Sequence, residues 1–234
     1  MKQIDTQYMV TPFYGVPRMT HHLRSLGYRV NHKRVRRLYR KMDLQAMGPR
    51  PNTSRPHKGA GHAIHPYLLR GLVIDRPHQV WAMDITYVPV GGSHMYLVAI
   101  IDVYSRYIVS WSLSNTMTAR WCRDCLEEAV NRYGSPEILN TDQGSQFSSH
   151  EFWDGFPSST CIKFSMDGKG RAIDNIFIER FWRNIKQEKI YLEPSDNGLE
   201  LYHKVKKYMK YYNMERPHQS LKYKRPVDMV QPAA

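Results

Sequence analysis

Three acidic residues stand where a carboxylate calls for a chemical reason. Asp84 interrupts the apolar run VWAMDITYVPV, between Met83 and Ile85, and an unpaired carboxylate inside a strand is expensive to bury. A cation is its simplest partner. Asp142 follows the short run Ile138 to Thr141 in a Thr-Asp-Gln-Gly turn, at the C-terminal end of a strand, where α/β sheets tend to place their sites. Taken alone, that residue reads as an ordinary Asx turn. Glu179 lies in DNIFIERFWRNIKQE, where Asn175, Glu179, Arg183 and Lys186 recur at i, i+4, i+8 and i+11, so a carboxylate shares a helix face with cations. A solvated salt-bridge face explains that stripe equally well.

The three together say more than each does singly. Oxygen ligands converging from a strand, a strand end and a helix suit Mg²⁺, which keeps several waters and needs few protein carboxylates. Two such ions about 3.5 to 4 Å apart activate an attacking hydroxyl and stabilise the leaving oxygen of a phosphodiester.

The elements that must carry these residues follow from periodicity. VWAMDITYVPV, a Gly91-Gly92-Ser93 turn, HMYLVAIIDV and YIVSWSL predict three antiparallel strands. Ala119 to Tyr133 predicts a helix with Cys122, Leu126, Ala129 and Val130 inward, PEILN a short buried strand, and the run around Ile162 and Phe164 another. Residues 173–190 and 199–213 predict helices, the first burying Ile178, Phe181, Trp182 and Ile185. The result is a mixed α/β layer with helices on the sheet faces. Ahead of it, Val16 to Leu26 predicts a helix, Gly27 and Tyr28 turn the chain, and Asn31 caps a second helix through Met42. That helix buries Val35, Leu38 and Met42 and turns Lys33, Arg34, Arg36, Arg37, Arg40 and Lys41 outward. The pair resembles a helix-turn-helix, although a basic helix lying on phosphates without reading bases fits as well. Residues 48–66, rich in Pro, Gly and His, read as a linker.

Charge is laid out to match. Residues 1–70 hold 14 Lys and Arg against Asp5 and Asp43, residues 71–160 hold 5 basic against 10 acidic, and residues 161–234 hold 15 against 9, within a net charge of +13. Basic ends around an acidic centre point to a polyanion held at the ends. The 41% apolar content supports a real core, and three cysteines give no disulfide framework. No run approaches the ~18 apolar residues of a membrane span, nor does the N-terminus read as a signal peptide. A cytoplasmic, nucleoid-associated protein is the expectation.

The runs WAMDITYVPV, IIDVYSR, NTDQGSQFSS, SMDGKGRAIDNIFIERFWRNIKQE and YYNMERPHQSL closely resemble the catalytic subunit of insertion-sequence transposases of the DDE type. The nearest group is the IS-three family, from about residue 12 onward, with this chain matching its second reading frame. The resemblance implies an RNase H-like integrase core, a mixed five-stranded sheet with helices on both faces. It divides the chain into a helix-turn-helix-like segment (1–47), a linker (48–75) and the core with a helical extension (76–234). It makes Asp84, Asp142 and Glu179 the catalytic and metal-binding triad, holding two Mg²⁺ or substitute Mn²⁺ ions for strand cleavage and transfer of a 3′-hydroxyl. Its implied partners are double-stranded DNA, further copies of the chain and a first-frame product joined by frameshifting. DNA contacts are expected at Arg34, Arg36, Arg37, Arg40, Lys169, Asn175, Arg183 and Lys186. Gly168-Lys169-Gly170 reads as a loop beside the site or a plain connector. Asp102 is expected to be structural, Gln143 and Gly144 to shape the Asp142 turn, and Arg216 to His218 to contact DNA or to dock. Zinc on His62, His65, Cys122 and Cys125 is not expected, because three core strands would separate the pairs.

Two departures from the family pattern bear on activity. Asp142 and Glu179 are separated by 36 residues, one more than the family's usual spacing, and FWDGFPSSTCIKF places Pro157 where relatives carry an apolar helix, which Pro interrupts. The chain also begins near the helix-turn-helix segment, so DNA binding with little sequence preference is the expectation for it alone. Two competing readings remain: an RNase H-like nuclease on the same fold, and a non-catalytic DNA-binding remnant that modulates transposition.

Overall fold

The computed structural model describes residues 1–47, 65–153, 161–167 and 175–230. Contacts divide the chain into two units, Met1–Ser54 with Arg183–Glu193, and Arg55–Trp182 with Pro194–Ala234.

The second unit is built on a five-stranded sheet. Strands β1 (Val80–Val90), β2 (Ser93–Asp102) and β3 (Ile108–Ser114) form the predicted antiparallel meander. Gly91 and Gly92 join β1 to β2 with φ of 51° and 77°, the paired positive φ that a two-residue hairpin turn requires. That turn fixes the register, pairing Asp84 with Ala99 and Met83 with Ile100; a slip of one residue would exchange the faces of Asp84 and Met83. After α4 (Ala119–Tyr133) come β4 (Ile138–Thr141), the short helices α5 (Ser145–Ser148) and α6 (His150–Trp153), and β5 (Lys163–Met166). β4 runs parallel to β1 and β5 parallel to β4, giving the order β3-β2-β1-β4-β5 with β1 in the middle.

The alternation of β1 sorts its side chains. Trp81 and Met83, with Val98 and Ile100 of β2, join Cys122, Cys125, Leu126 and Ala129 of α4 and Phe147 and Phe152 in one buried core. Thr118 caps α4, its Oγ1 accepting from Trp121 N at 3.2 Å, and Gly134 ends the helix at φ 81°. The other face carries Ala82, Asp84 and Thr86, and α7 (Ile176–Ile185) and α8 (Gly198–Met214) cover it. Phe181 packs edge-to-face on Tyr212 at 4.9 Å, Trp111 of β3 meets Tyr202, and Asn213 holds the backbone of Ile108 through both its amide atoms. A π-helical turn, Lys186–Ile190, extends α7, and a short helix, α9 (Pro226–Val230), closes the described chain.

The first unit contains three helices rather than the two expected. α1 (Lys2–Val10) precedes α2 (Val16–Ser25) and α3 (His32–Lys41). Asn31 caps α3, its Oδ1 accepting from Arg34 N at 2.8 Å. Ile4, Met19, Leu23, Val35 and Tyr39 form the core of this unit. Tyr39, not Leu38 or Met42, is the fully buried partner of Val35; those two are only partly buried. The Tyr39 hydroxyl donates to Tyr14 O at 2.7 Å, the partner a buried tyrosine requires. The linker at 48–64, the stretch 154–160 with Pro157, and the loop with Lys169 lie outside the described residues.

Candidate active site

Asp84 and Asp142 meet by register. Ala82 of β1 pairs with Asn140 of parallel β4, so two residues further on Asp84 stands level with Asp142 on the same face. Adjacent strands lie about 4.8 Å apart. Asp84 is clamped by two neutral donors: Ile85 N donates to its Oδ1 at 2.8 Å and Trp182 Nε1 to its Oδ2 at 2.8 Å. Asp142 folds back on its own turn, where Gly144 N donates to Oδ1 at 2.9 Å. A Cβ at Gly144 would stand 2.8 Å from that same oxygen, so this bond depends on glycine. Gln143, expected to shape the turn, does so by donating Nε2 to Asp167 O at 2.8 Å.

The electrostatics show how near the acids are. Burial first, then the Asp142 carboxylate, push the Asp84 carboxyl up to about 7; Glu179 adds to this, while the Trp182 and Ile85 N–H groups oppose it. Burial likewise raises Asp142 against the Gly144 N–H. Glu179 sits in the first turn of α7 and is exposed. Among the described residues, no three His, Cys, Asp or Glu side chains close round one point. Asp84 and Asp142 therefore form the close pair, with Glu179 their outer neighbour. The donor set fits a divalent cation of the Mg²⁺ type: hard carboxylate oxygens on adjacent strands, whose repulsion a cation would relieve.

The remaining predicted positions divide by exposure. Arg34, Arg36, Arg37 and Arg40 are exposed on α3, Arg183 is exposed and Lys186 partly buried. Asn175 is buried, with Oδ1 unpaired, one turn before Glu179, whose N–H its backbone carbonyl accepts at 3.2 Å. Lys169 lies outside the described residues. Asp102 is structural: fully buried, it accepts from His78 N, Ser105 N and Ser105 Oγ and so holds the β2–β3 turn. Arg216 and His218, expected to contact DNA or to dock, are buried and bonded to each other at 3.2 Å. Cys122 and Cys125 lie in the core, their thiols pushed up to about 12 by burial, whereas His65 packs on Trp153.

Sequence reasoning missed the supports of the site. Trp182 was expected only as core, yet its indole N–H fixes Asp84; a tryptophan one turn after a candidate acid is the signal, since its polar edge needs an acceptor. Asn140, fully buried in β4, donates to Asp167 Oδ1 at 2.8 Å and accepts from Ser165 Oγ at 2.8 Å. An asparagine within the apolar run ILNT is the signal for the centre of a polar ladder, because buried amides are bonded.

Comparison with known proteins identifies the family and the fold. Two family profiles described as integrase core domain match residues 74–172 and 160–226, and one described as HTH-like domain matches residues 1–52. The chain is 34% identical to the transposase for insertion sequence element IS904 of Lactococcus lactis, covering 92% of this chain and 86% of that protein. It is 31% identical to the putative transposase InsK for IS150 of Escherichia coli K12, covering 76% of that protein, and 34% identical to the transposase InsF for IS3A of the same strain, covering 63%. Among solved structures it is similar to the HTLV-2 integrase catalytic core domain in complex with magnesium, at TM-score 0.53, 22% identity and 67% of this chain against 98% of that one. It is also similar to a chain of the simian T-cell lymphotropic virus intasome, at TM-score 0.59, 16% identity and 94% of this chain against 72% of that one. The sheet and its flanking helices are thus an RNase H-like integrase core.

Proposed function

The chain belongs to the insertion-sequence transposases related to IS3, and on that premise we propose that it cleaves DNA strands at element ends and transfers them with Asp84, Asp142 and Glu179 as its catalytic acids. The observation that carries this reading is the pair Asp84 and Asp142, level on adjacent strands, with Glu179 near enough to raise Asp84. Bound divalent metal would supply activation of the attacking hydroxyl and stabilisation of the leaving oxygen. Asp84 and Asp142 would hold that metal with Glu179, and the Trp182 and Gly144 N–H groups keep the first two carboxylates in fixed rotamers. Arg183 and Lys186, further along α7 and its π-helical extension, would hold the strand being cut. The exposed arginines of α3 would bind phosphate across the wider duplex.

The test is Mg²⁺-dependent cleavage and joining of a duplex carrying the gene's own flanking ends. It uses the chain alone and fused to the product of the upstream frame, with Glu179→Gln as control. Products from the wild type that vanish with EDTA and in Glu179→Gln are expected. Products that persist in Glu179→Gln, or binding without cleavage by every form, would overturn the reading; the second outcome would leave a DNA-binding remnant.

A further inference from the structure

A cavity of about 610 Å³ in the second unit lies at the β2–β3 turn and has no role in the reading above. Its walls are apolar, from Leu72, Ile74, Val103, Leu221 and Met229, and its charged lining groups are the cations Arg106, Lys222 and Lys224. The Arg106 guanidinium lies over the Phe177 ring, 3.9 Å from its centroid. Among the described residues its N–H groups have no acceptor, because the nearby Asp102 carboxylate is taken up by His78 and Ser105. Burial pulls this guanidinium below its ordinary range, Tyr212 and the Asp102 carboxylate opposing the shift and Arg180 adding to it.

Two of the three cations stand on strained backbone. Arg106 has φ 65° and Lys222 has φ 54°, a region that side-chain-bearing residues seldom adopt. Backbone bonds hold both in place: Arg106 N to Asp102 O at 2.8 Å, Lys222 N to Gln219 O at 3.1 Å, and Tyr223 N to His218 O at 2.8 Å. Strain of this kind persists only where surrounding bonds over-determine it, and it occurs at ligand clamps as well as in turns.

We propose that this pocket receives one unpaired nucleotide of the DNA, its base against the apolar walls beside Phe177 and its phosphate on Arg106, Lys222 and Lys224. The volume suits one such unit and excludes a duplex. Three cations with an arginine–aromatic layer select an anion that has a flat, apolar body, as a nucleotide does. Paired bases cannot leave their stack without cost, so frayed or cut ends are the natural source. Phe177 precedes Glu179 by two residues on α7, and side chains at that spacing point to different sides of a helix. The pocket is thus apart from the Glu179 face of the helix, and the inference rests on the chain acting on DNA as proposed above.

The experiment compares binding of the full chain to a blunt duplex and to the same duplex with a short unpaired thymidine tail, by fluorescence anisotropy without Mg²⁺. The tailed duplex is expected to bind about tenfold more tightly. Arg106→Gln is expected to abolish that preference while lowering blunt-duplex affinity much less. Because Arg106 holds a turn, the surface pair Lys222→Gln with Lys224→Gln provides a second variant with the same expected loss. Equal affinity for the two duplexes, absence of DNA binding, or a preference that survives both variants would overturn the proposal. A tail preference in a chain that never joins strands would sink the catalytic reading and leave the pocket standing.

Discussion

Asp84 is the residue on which stability and function pull in opposite directions. Its carboxyl ionises near 3.8 in an unfolded chain and near 7 in the folded one. Between about pH 4 and pH 7 the unfolded state has therefore released the proton that the folded state retains. Metal-free stability falls as pH rises through this window and levels off above it. A tenfold change in proton affinity corresponds to ~1.4 kcal/mol, and ~1 kcal/mol moves the midpoint of a chain this size by ~2–4 °C. Asp84→Asn removes the charge but turns an amide donor toward one of the two clamping N–H groups, a fixed cost at every pH. The expected outcome is a melting temperature that, relative to wild type without metal, rises by several degrees between pH 4 and pH 8, with strand transfer lost. An offset that stays constant across those pH values would show that Asp84 is not held protonated. Millimolar Mg²⁺ at pH 8 is expected to stabilise the wild type and leave the variant unchanged.

At the scale of the element, α3 is the clearest polyanion surface, with Arg34, Arg36, Arg37 and Arg40 exposed on a helix anchored by Val35 and Tyr39. Replacing Arg34, Arg37 and Arg40 by Gln is expected to leave the melting temperature within a few degrees, since the changes lie off the buried stripe. It should reduce the slope of log affinity for duplex DNA against log salt by about 0.9 for each lost phosphate contact. An unchanged slope would remove α3 from the interface. The helices and strands with strong periodicity were legible in the sequence. α4 has the predicted ends, and the Gly91-Gly92 turn set the meander because it offered both a turn and a register. α1 was not legible: only Ile4 is buried along it, so its sequence carries almost no helical stripe. Tyr39 carries a hydroxyl that gives it the look of a surface residue, and only the distant carbonyl of Tyr14 explains its burial. The acids of the site could be read from their placement on elements, but Trp182 and Asn140 could not. Their partners, Asp84 and Asp167, lie far away in sequence: α7 lying on the sheet brings Trp182 to Asp84, and strand register brings Asn140 to Asp167.

Across the whole molecule Asp84 and Asp142 sit in a centre of net negative charge and Glu179 in the basic end, and each unit combines sequence from distant parts of the chain. The first unit includes Arg183–Glu193, the continuation of the helix that begins beside Glu179. Within that unit Arg18 of α2 meets Glu188 of the π-helical turn at 2.6 Å, and the glutamate side chain is only 3% exposed. Glu188 is thus a buried carboxylate paired with a guanidinium 170 residues earlier. Breaking a buried pair by removing one partner costs up to ~3–5 kcal/mol, and here the pair holds a π-helical turn, a rare and short form of helix. A chain starting at residue 55 keeps every strand of the sheet but lacks Arg18. It is expected to retain slow amide exchange in β1, β2 and β4 while residues 183–193 exchange at least about tenfold faster than in the full chain. Arg18→Met in the full chain should move the same amides in the same direction by a smaller factor. Unaltered protection of 183–193 in the shortened chain would mean that this helix does not depend on Arg18.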